Sequence, residues 1–229
     1  MIDFYTSATP NGHKISILLE ETGLPYTVHA LNLSAGDQKK PAFLAINPNG
    51  KIPAIVDADT GARVFESGAI LEYIADKAGK FLPKDGPARY AVLQWIMFQM
   101  SGVGPTFGQL NHFKNVAPEK IPYAIKRFED EANRLLGVMD SQLTQTPYIA
   151  GDYSIADMAL WPWVNLHTKL GLDLHAHPRV KRWHTQVGNR AAVQKGLAIP
   201  APANAAPAAA AKADGAACDI SKKGQGGCG

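Results

Sequence analysis

At Pro83-Lys84-Asp85-Gly86-Pro87 the hydrophobic period of the chain changes, and that change limits the architectures open to it. Before it, strand and helix signals alternate at short intervals, the pattern of a compact α/β unit. After it, every periodic segment is helical. Two prolines and a glycine stop a helix from either side, so residues 81–86 read as a linker between an α/β domain over 1–80 and an all-α domain over 87–199. The 229 residues are enough for two small cores. From 200 the chain becomes Ala- and Pro-rich, then Gly- and Lys-rich, too poor in large apolar groups to join a core, and 200–229 reads as a flexible tail.

The first 80 residues spell β-α-β, a helical connection, then β-β-α. Ile2–Thr6 is a short strand. Ile15, Leu18 and Leu19 recur at helical spacing in a segment opened by Thr9-Pro10 and closed by Gly23. Residues 25–33 supply a second strand and 41–46 a short helix. The turn Asn47-Pro48-Asn49-Gly50 leads into a strand over 51–56 that contains Pro53, which marks an edge or a special position. A polar turn leads on to Arg63–Phe65, and Glu66-Ser67-Gly68 opens a helix that ends near Gly79. In the second half, helices are expected near 87–101, 122–145, 154–169 and 178–196. Ser154 and Asp157 form a capping box there, with Tyr153 and Met158 placed as a hydrophobic staple.

Charge and cysteine usage narrow the chemistry. A net charge of +3 from 23 basic and 20 acidic side chains is no nucleic-acid or membrane footprint, so the partner is expected to be a small molecule. Met1-Ile2-Asp3-Phe4-Tyr5 has neither a basic n-region nor a long apolar run, which argues against export and for a cytoplasmic location. No apolar run reaches bilayer length. The two cysteines, Cys218 and Cys228, both lie in the tail, so sulfur chemistry in the body needs a thiol brought by a ligand. His112, His175 and His177 lack further ligands, and no metal is expected.

Three local features of the first domain suit one kind of ligand. A cis Ile52-Pro53 bond would free the Ile52 backbone to pair with an extended cysteinyl peptide. At Glu66-Ser67-Gly68, backbone N–H groups and the Ser67 hydroxyl can take a carboxylate while Glu66 receives an ammonium, the two groups at the α-amino-acid end of a γ-glutamyl unit. Helix capping by Ser67 explains the same triplet without a ligand. Thr9-Pro10-Asn11-Gly12 follows strand one, where short polar side chains face the crevice beyond its carboxyl end and can stabilise a thiolate. A cap at Thr9 and a turn at Asn11-Gly12 are the plainer alternative. Trp95, Phe98, Phe107 and Phe113 can wall an apolar pocket or pack the core, and packing is the default for each. His13, beside Asn11, is a possible base but stands in the first turn of its helix.

The segments 5–14 (YTSATPNGHK), 47–57 (NPNGKIPAIVD), 65–71 (FESGAIL) and 153–163 (YSIADMALWPW) together resemble bacterial glutathione transferases. The likeness is greatest to the nu class, glutathione-dependent disulfide-bond oxidoreductases related to the yeast nitrogen regulator, and it spans about 1–198. The resemblance implies a thioredoxin-like N-terminal domain followed by an all-α C-terminal domain. It implies glutathione as co-substrate, Asn11 and Thr9 near its sulfur, and Ile52 with Pro53 along its cysteinyl backbone. Glu66 and Ser67 would hold the γ-glutamyl end and Gln38 the glycyl end, while Arg127 would be given to the site by the second subunit of a homodimer.

Disulfide exchange needs an attacking thiolate, a disulfide and a stabilised leaving thiolate, and two glutathione molecules supply these without a protein cysteine. Reduction of small disulfides is therefore the expected activity. Two alternatives stand beside it: conjugation of glutathione to an electrophile with Tyr5 or Ser7 at the sulfur, and a non-catalytic glutathione-binding regulator. In the tail, Cys218 and Cys228 could close a disulfide or reach the active site through the Ala/Pro linker, with exposed, idle cysteines as the plainer reading.

Overall fold

The computed structural model describes residues 1–201; the tail beyond, with Cys218 and Cys228, lies outside the described residues. Its first half is a four-stranded sheet in the order β2-β1-β3-β4. Strand β1 (Ile2–Thr6) pairs in parallel with β2 (Tyr26–Ala30) and antiparallel with β3 (Ala54–Asp57), which pairs antiparallel with β4 (Arg63–Phe65). Burial alternates along β1, so Ile2, Phe4 and Thr6 face the core while Asp3 and Tyr5 look the other way. Helices α1 (Pro10–Thr22) and α3 (Ser67–Ala78) pack into that core through Ile15, Leu18, Leu19, Ile70, Leu71 and Ile74. The short α2 (Pro41–Leu44) brings Phe43 to the ring of Tyr5.

Local signals explain where these elements begin and end. The Thr9 hydroxyl accepts the Gly12 N–H at the start of α1, with Pro10 in the first turn, and Gly23 closes the helix in the left-handed region. Asn47 is buried and holds its turn by donating to Lys51 O and accepting Asn49 N–H. The β3 ladder starts at Ala54, two residues after Ile52, and the Ile52-Pro53 bond is cis.

The second half is helical, with two departures from the expected segments. Residues 86–116 form one unbroken helical rod: α4 (Gly86–Phe98), a π-turn (Gln99–Val103), α5 (Gly104–Asn111) and a second π-turn (His112–Val116). Gly104-Pro105 does not end it. Proline inside an α-helix clashes with the carbonyl a turn earlier, and the wider turn just before Pro105 makes room for its ring. The other departure is that 154–169 and 178–196 each divide: α7 (Ile155–Val164) and α8 (His167–Leu170) part at Asn165-Leu166, and α9 (Pro178–Gly188) and α10 (Ala191–Leu197) at Asn189-Arg190. Helix α6 (Pro122–Gln142) is the longest of the described helices.

The Ser154–Asp157 capping box is present, and Asp157 also accepts from Ile149 N and Trp183 Nε1, so one carboxylate ties α7 to the preceding loop and to α9. One apolar core runs from the sheet through α1 and α3 into α4, α5, α6, α7 and α9. Trp95 and Phe107 belong to it, Phe98 stands edge-on to Trp95, and Phe113 stacks on Phe128, so these four aromatics serve packing. At the far end α10 lies against α1: Ser16 Oγ donates to Gly196 O, and the Arg190 guanidinium clasps Glu21.

Candidate active site

A pocket of about 390 Å³ opens where the α/β half meets the helical rod. Five sequence-derived candidates line it: Asn11 from α1, Ile52 and Pro53 from the approach to β3, and Glu66 with Ser67 from the start of α3. The rod supplies the facing wall through Gln99, Met100 and Pro105. Gln99 lies in the π-turn with its amide packed against Gly104, where a Cβ would stand 2.7 Å from its Nε2.

Each candidate is held by its neighbours. Asn11 Oδ1 accepts the indole N–H of Trp163 at 3.0 Å. An indole nitrogen only donates, so this contact fixes which way the carboxamide lies and leaves the Asn11 amide N–H bonds free of protein partners among the described residues. Trp163 is steadied in turn by Gly108 of α5, where a Cβ would be 3.5 Å from its ring. Glu66 holds φ +68°, a left-handed conformation that costs a non-glycine residue about 1–3 kcal/mol. Its carboxylate accepts from Asn49 Nδ2 at 3.3 Å.

Beneath Ser67 lies a lysine that sequence reasoning did not single out. Lys14 is 1% exposed and donates to Ser67 Oγ at 3.1 Å and Gln99 Oε1 at 2.6 Å. Burial pushes its ammonium down to about 7, with the negative charge of Glu66 pulling the other way. The Ser67 hydroxyl approaches the Met100 thioether at 3.8 Å.

Three candidates stand outside the pocket. The Thr9 hydroxyl caps α1 and does not line the cavity. Gln38 donates its amide to Leu33 O within its own loop, and its buried Oε1 has no partner among the described residues. Arg127 is exposed on α6 and borders a separate groove with Tyr123 and Arg134; the start of α5 divides the two, Pro105 lining the pocket and Thr106 the groove. The alternatives at the sulfur fare no better. Tyr5 is turned to the opposite face of the sheet, stacked on His29 with ring centroids 4.5 Å apart, and burial followed by the charge of Asp3 raises its phenol. Ser7 does not line the pocket either, nor does His13, whose imidazole pKa is lowered by burial. Among the described residues no group of three His, Cys, Asp or Glu is placed to hold a metal.

The sequence model of the glutathione S-transferase N-terminal domain matches residues 3–76, and that of the C-terminal domain matches residues 93–191. The chain belongs to the glutathione S-transferase family. It is 48% identical over 203 residues to the disulfide-bond oxidoreductase YfcG of Escherichia coli, covering 86% of this chain and 94% of that protein. It is 44% identical to the disulfide-bond oxidoreductase YghU of the same organism, covering 86% and 74%. A glutathione transferase of Burkholderia graminis, solved with two glutathione molecules bound per subunit, superposes with TM-score 0.84 at 43% identity over 87% of this chain and 88% of that one. One from Pseudomonas putida, solved with a glutathione disulfide bound, gives 0.82 at 42% identity over 87% and 91%.

Proposed function

We propose that this protein binds glutathione in the pocket between its two halves and uses it to reduce small disulfides. The observation that carries the reading is the joint placement of Asn11, Ile52, Glu66 and Ser67 on one pocket in a body without a cysteine. Glu66 receives the α-ammonium of the γ-glutamyl group and Ser67, at the N-terminus of α3, its α-carboxylate. The Ile52 backbone, outside the β3 ladder, pairs with the cysteinyl residue. The sulfur then lies by Asn11, whose amide N–H bonds donate to the thiolate and lower its pKa. Thr9 acts by holding the α1 entry that presents Asn11. The names and bound ligands of the relatives support the same reading.

The chemistry balances without a protein thiol. Glutathione thiolate attacks one sulfur of the disulfide, forming a mixed disulfide and expelling a thiolate. A second glutathione thiolate attacks the glutathione sulfur of the mixed disulfide, giving glutathione disulfide and the second leaving thiolate. Two glutathione thiols are oxidised, one disulfide is reduced, and the protein holds the sulfurs in line.

The division at 81–86, the cytoplasmic location and the homodimer belong to this proposal. Two cysteines confined to the tail suit a reducing compartment. Arg127, exposed beside a groove that adjoins the pocket across α5, suits a residue offered to a partner's site. The test compares turnover of a low-molecular-weight disulfide with that of a halogenated nitroaromatic, both with glutathione. Disulfide reduction should dominate, and dominant conjugation would sink the assignment.

A further inference from the structure

Among the described residues the buried Lys14 ammonium makes no ion pair, and the carboxylate of Glu66 acts on it only from a distance. The two hydrogen-bond partners of the ammonium, Ser67 Oγ and Gln99 Oε1, are neutral. Taking an ammonium out of water is costly unless an opposite charge meets it. An ammonium also has donors only, so Ser67 Oγ must receive it with a lone pair and turn its own proton elsewhere. That proton reaches only the Met100 sulfur at 3.8 Å, a weak acceptor. Ser67 is moreover the first residue of the twelve-residue α3, where backbone N–H groups carry partial positive charge. Ammonium, hydroxyl proton and helix end therefore converge on one spot of the pocket wall.

On the reading of Glu66 and Ser67 as the γ-glutamyl anchor, we propose that Lys14 is the positioning charge of that anchor. It aligns the Ser67 hydroxyl as a donor, supplies the counter-charge for the ligand's α-carboxylate, and so makes the site selective for γ-glutamyl groups that keep this carboxylate. Because burial holds the free ammonium down to about 7, an arriving carboxylate raises it and binding takes up a proton above neutral pH. Affinity is then full below about pH 7 and falls as the pH rises. The other charges on the pocket wall are Glu66 and Lys51, and the Gln99–Val103 turn brings none. On α1 itself burial lowers the pKa of His13, while Glu20 and Glu21 are bound to Tyr26 and Arg190. The acid of α7, Asp157, is engaged by Ile149, Ser154 and Trp183, and Lys195 of α10 is exposed.

The test is calorimetric titration of the full chain with S-methylglutathione, whose thiol cannot ionise, at pH 8 in buffers of different ionisation enthalpy. The same is done for Lys14→Met, and both proteins are titrated with the S-methyl derivative of 4-aminobutyryl-Cys-Gly, which lacks the α-carboxylate. Wild type should take up more protons than Lys14→Met, a difference in which the ligand's own ammonium cancels. It should also lose at least tenfold in affinity without the carboxylate, and Lys14→Met several-fold less. The unliganded variant should melt higher than wild type, since a buried charge has been removed, and gain less from ligand; a purely structural lysine gives the opposite sign. Lys14→Gln replaces Lys14→Met if the latter does not fold. Equal proton uptake, or equal sensitivity to the carboxylate, in the two proteins overturns the role of Lys14 and leaves the glutathione site standing. Failure of wild type to bind S-methylglutathione overturns the site itself and this proposal with it.

Discussion

Asn11 and Trp163 are 152 positions apart, yet the hydrogen bond between them decides which end of the carboxamide is available at the pocket wall. Trp163→Phe keeps the ring and removes the donor, so the amide is free to turn its oxygen toward the thiolate. The thiol pKa of bound glutathione, read from thiolate absorbance, should rise by about one unit, equivalent to about 1.4 kcal/mol, with little change in KM. An unchanged thiol pKa would show that Trp163 only packs. Lys14 makes a second expectation. Its folded pKa of about 7 lies below the ordinary 10.5, so the folded state binds fewer protons than the unfolded one between these values, and the unliganded protein should gain stability as pH rises from 7 toward 10. Urea unfolding at pH 7 and pH 9 measures this, and Lys14→Met should flatten the slope. Asn11, Ile52, Glu66 and Ser67 were legible in the sequence because each sits at a local signal: a helix entry, an X-Pro strand, a strand-to-helix junction. Lys14 was not, because a lysine near the start of a helix reads as solvated, and what buries it is Gln99, 85 positions further on. Trp163 was hidden for the same reason.

At the level of elements, the close approach of α10 to α1 depends on Gly196. A Cβ there would stand 2.7 Å from Ile17 N and 2.8 Å from its Cα, backbone atoms that cannot yield without shifting a helix. Gly196→Ala should therefore destabilise by about 1–3 kcal/mol through overpacking, seen as a lower urea midpoint at unchanged slope. Full wild-type stability would mean that α10 can slide without cost. Strand and helix types in the first half followed from alternation and from caps such as Thr9 and Gly23, which act within a few residues. The rod over 86–116 did not, since Gly102, Gly104 and Pro105 are helix-stopping signals. The π-turn that accommodates them is stabilised by packing against the α/β half, through Met100 on Gly68 and Gln99 on Lys14. That turn also gives the pocket its far wall.

For the whole molecule, one core joins the two halves and the pocket lies on their seam, so ligand affinity and the docking of the halves are coupled. The proposed dimer adds a further coupling. Arg127→Ala should raise KM for glutathione while leaving the monomer fold intact, and sedimentation should show a two-subunit species; a fully active monomer would remove Arg127 from the site. Neither the seam nor the groove beside α6 could be read from sequence, because both are made by residues brought together only on folding. The central claim is that the thiols doing the chemistry belong to glutathione and that Asn11 activates one of them. The most direct measurement is glutathione-dependent reduction of 2-hydroxyethyl disulfide by the Cys218→Ser/Cys228→Ser chain, before and after adding Asn11→Ala. The doubly substituted chain should turn over like wild type, and Asn11→Ala should then lower kcat/KM by on the order of 10²-fold, the usual effect of deleting one donor to a developing anion. Loss of turnover with the cysteines alone, or undiminished turnover after Asn11→Ala, would contradict it.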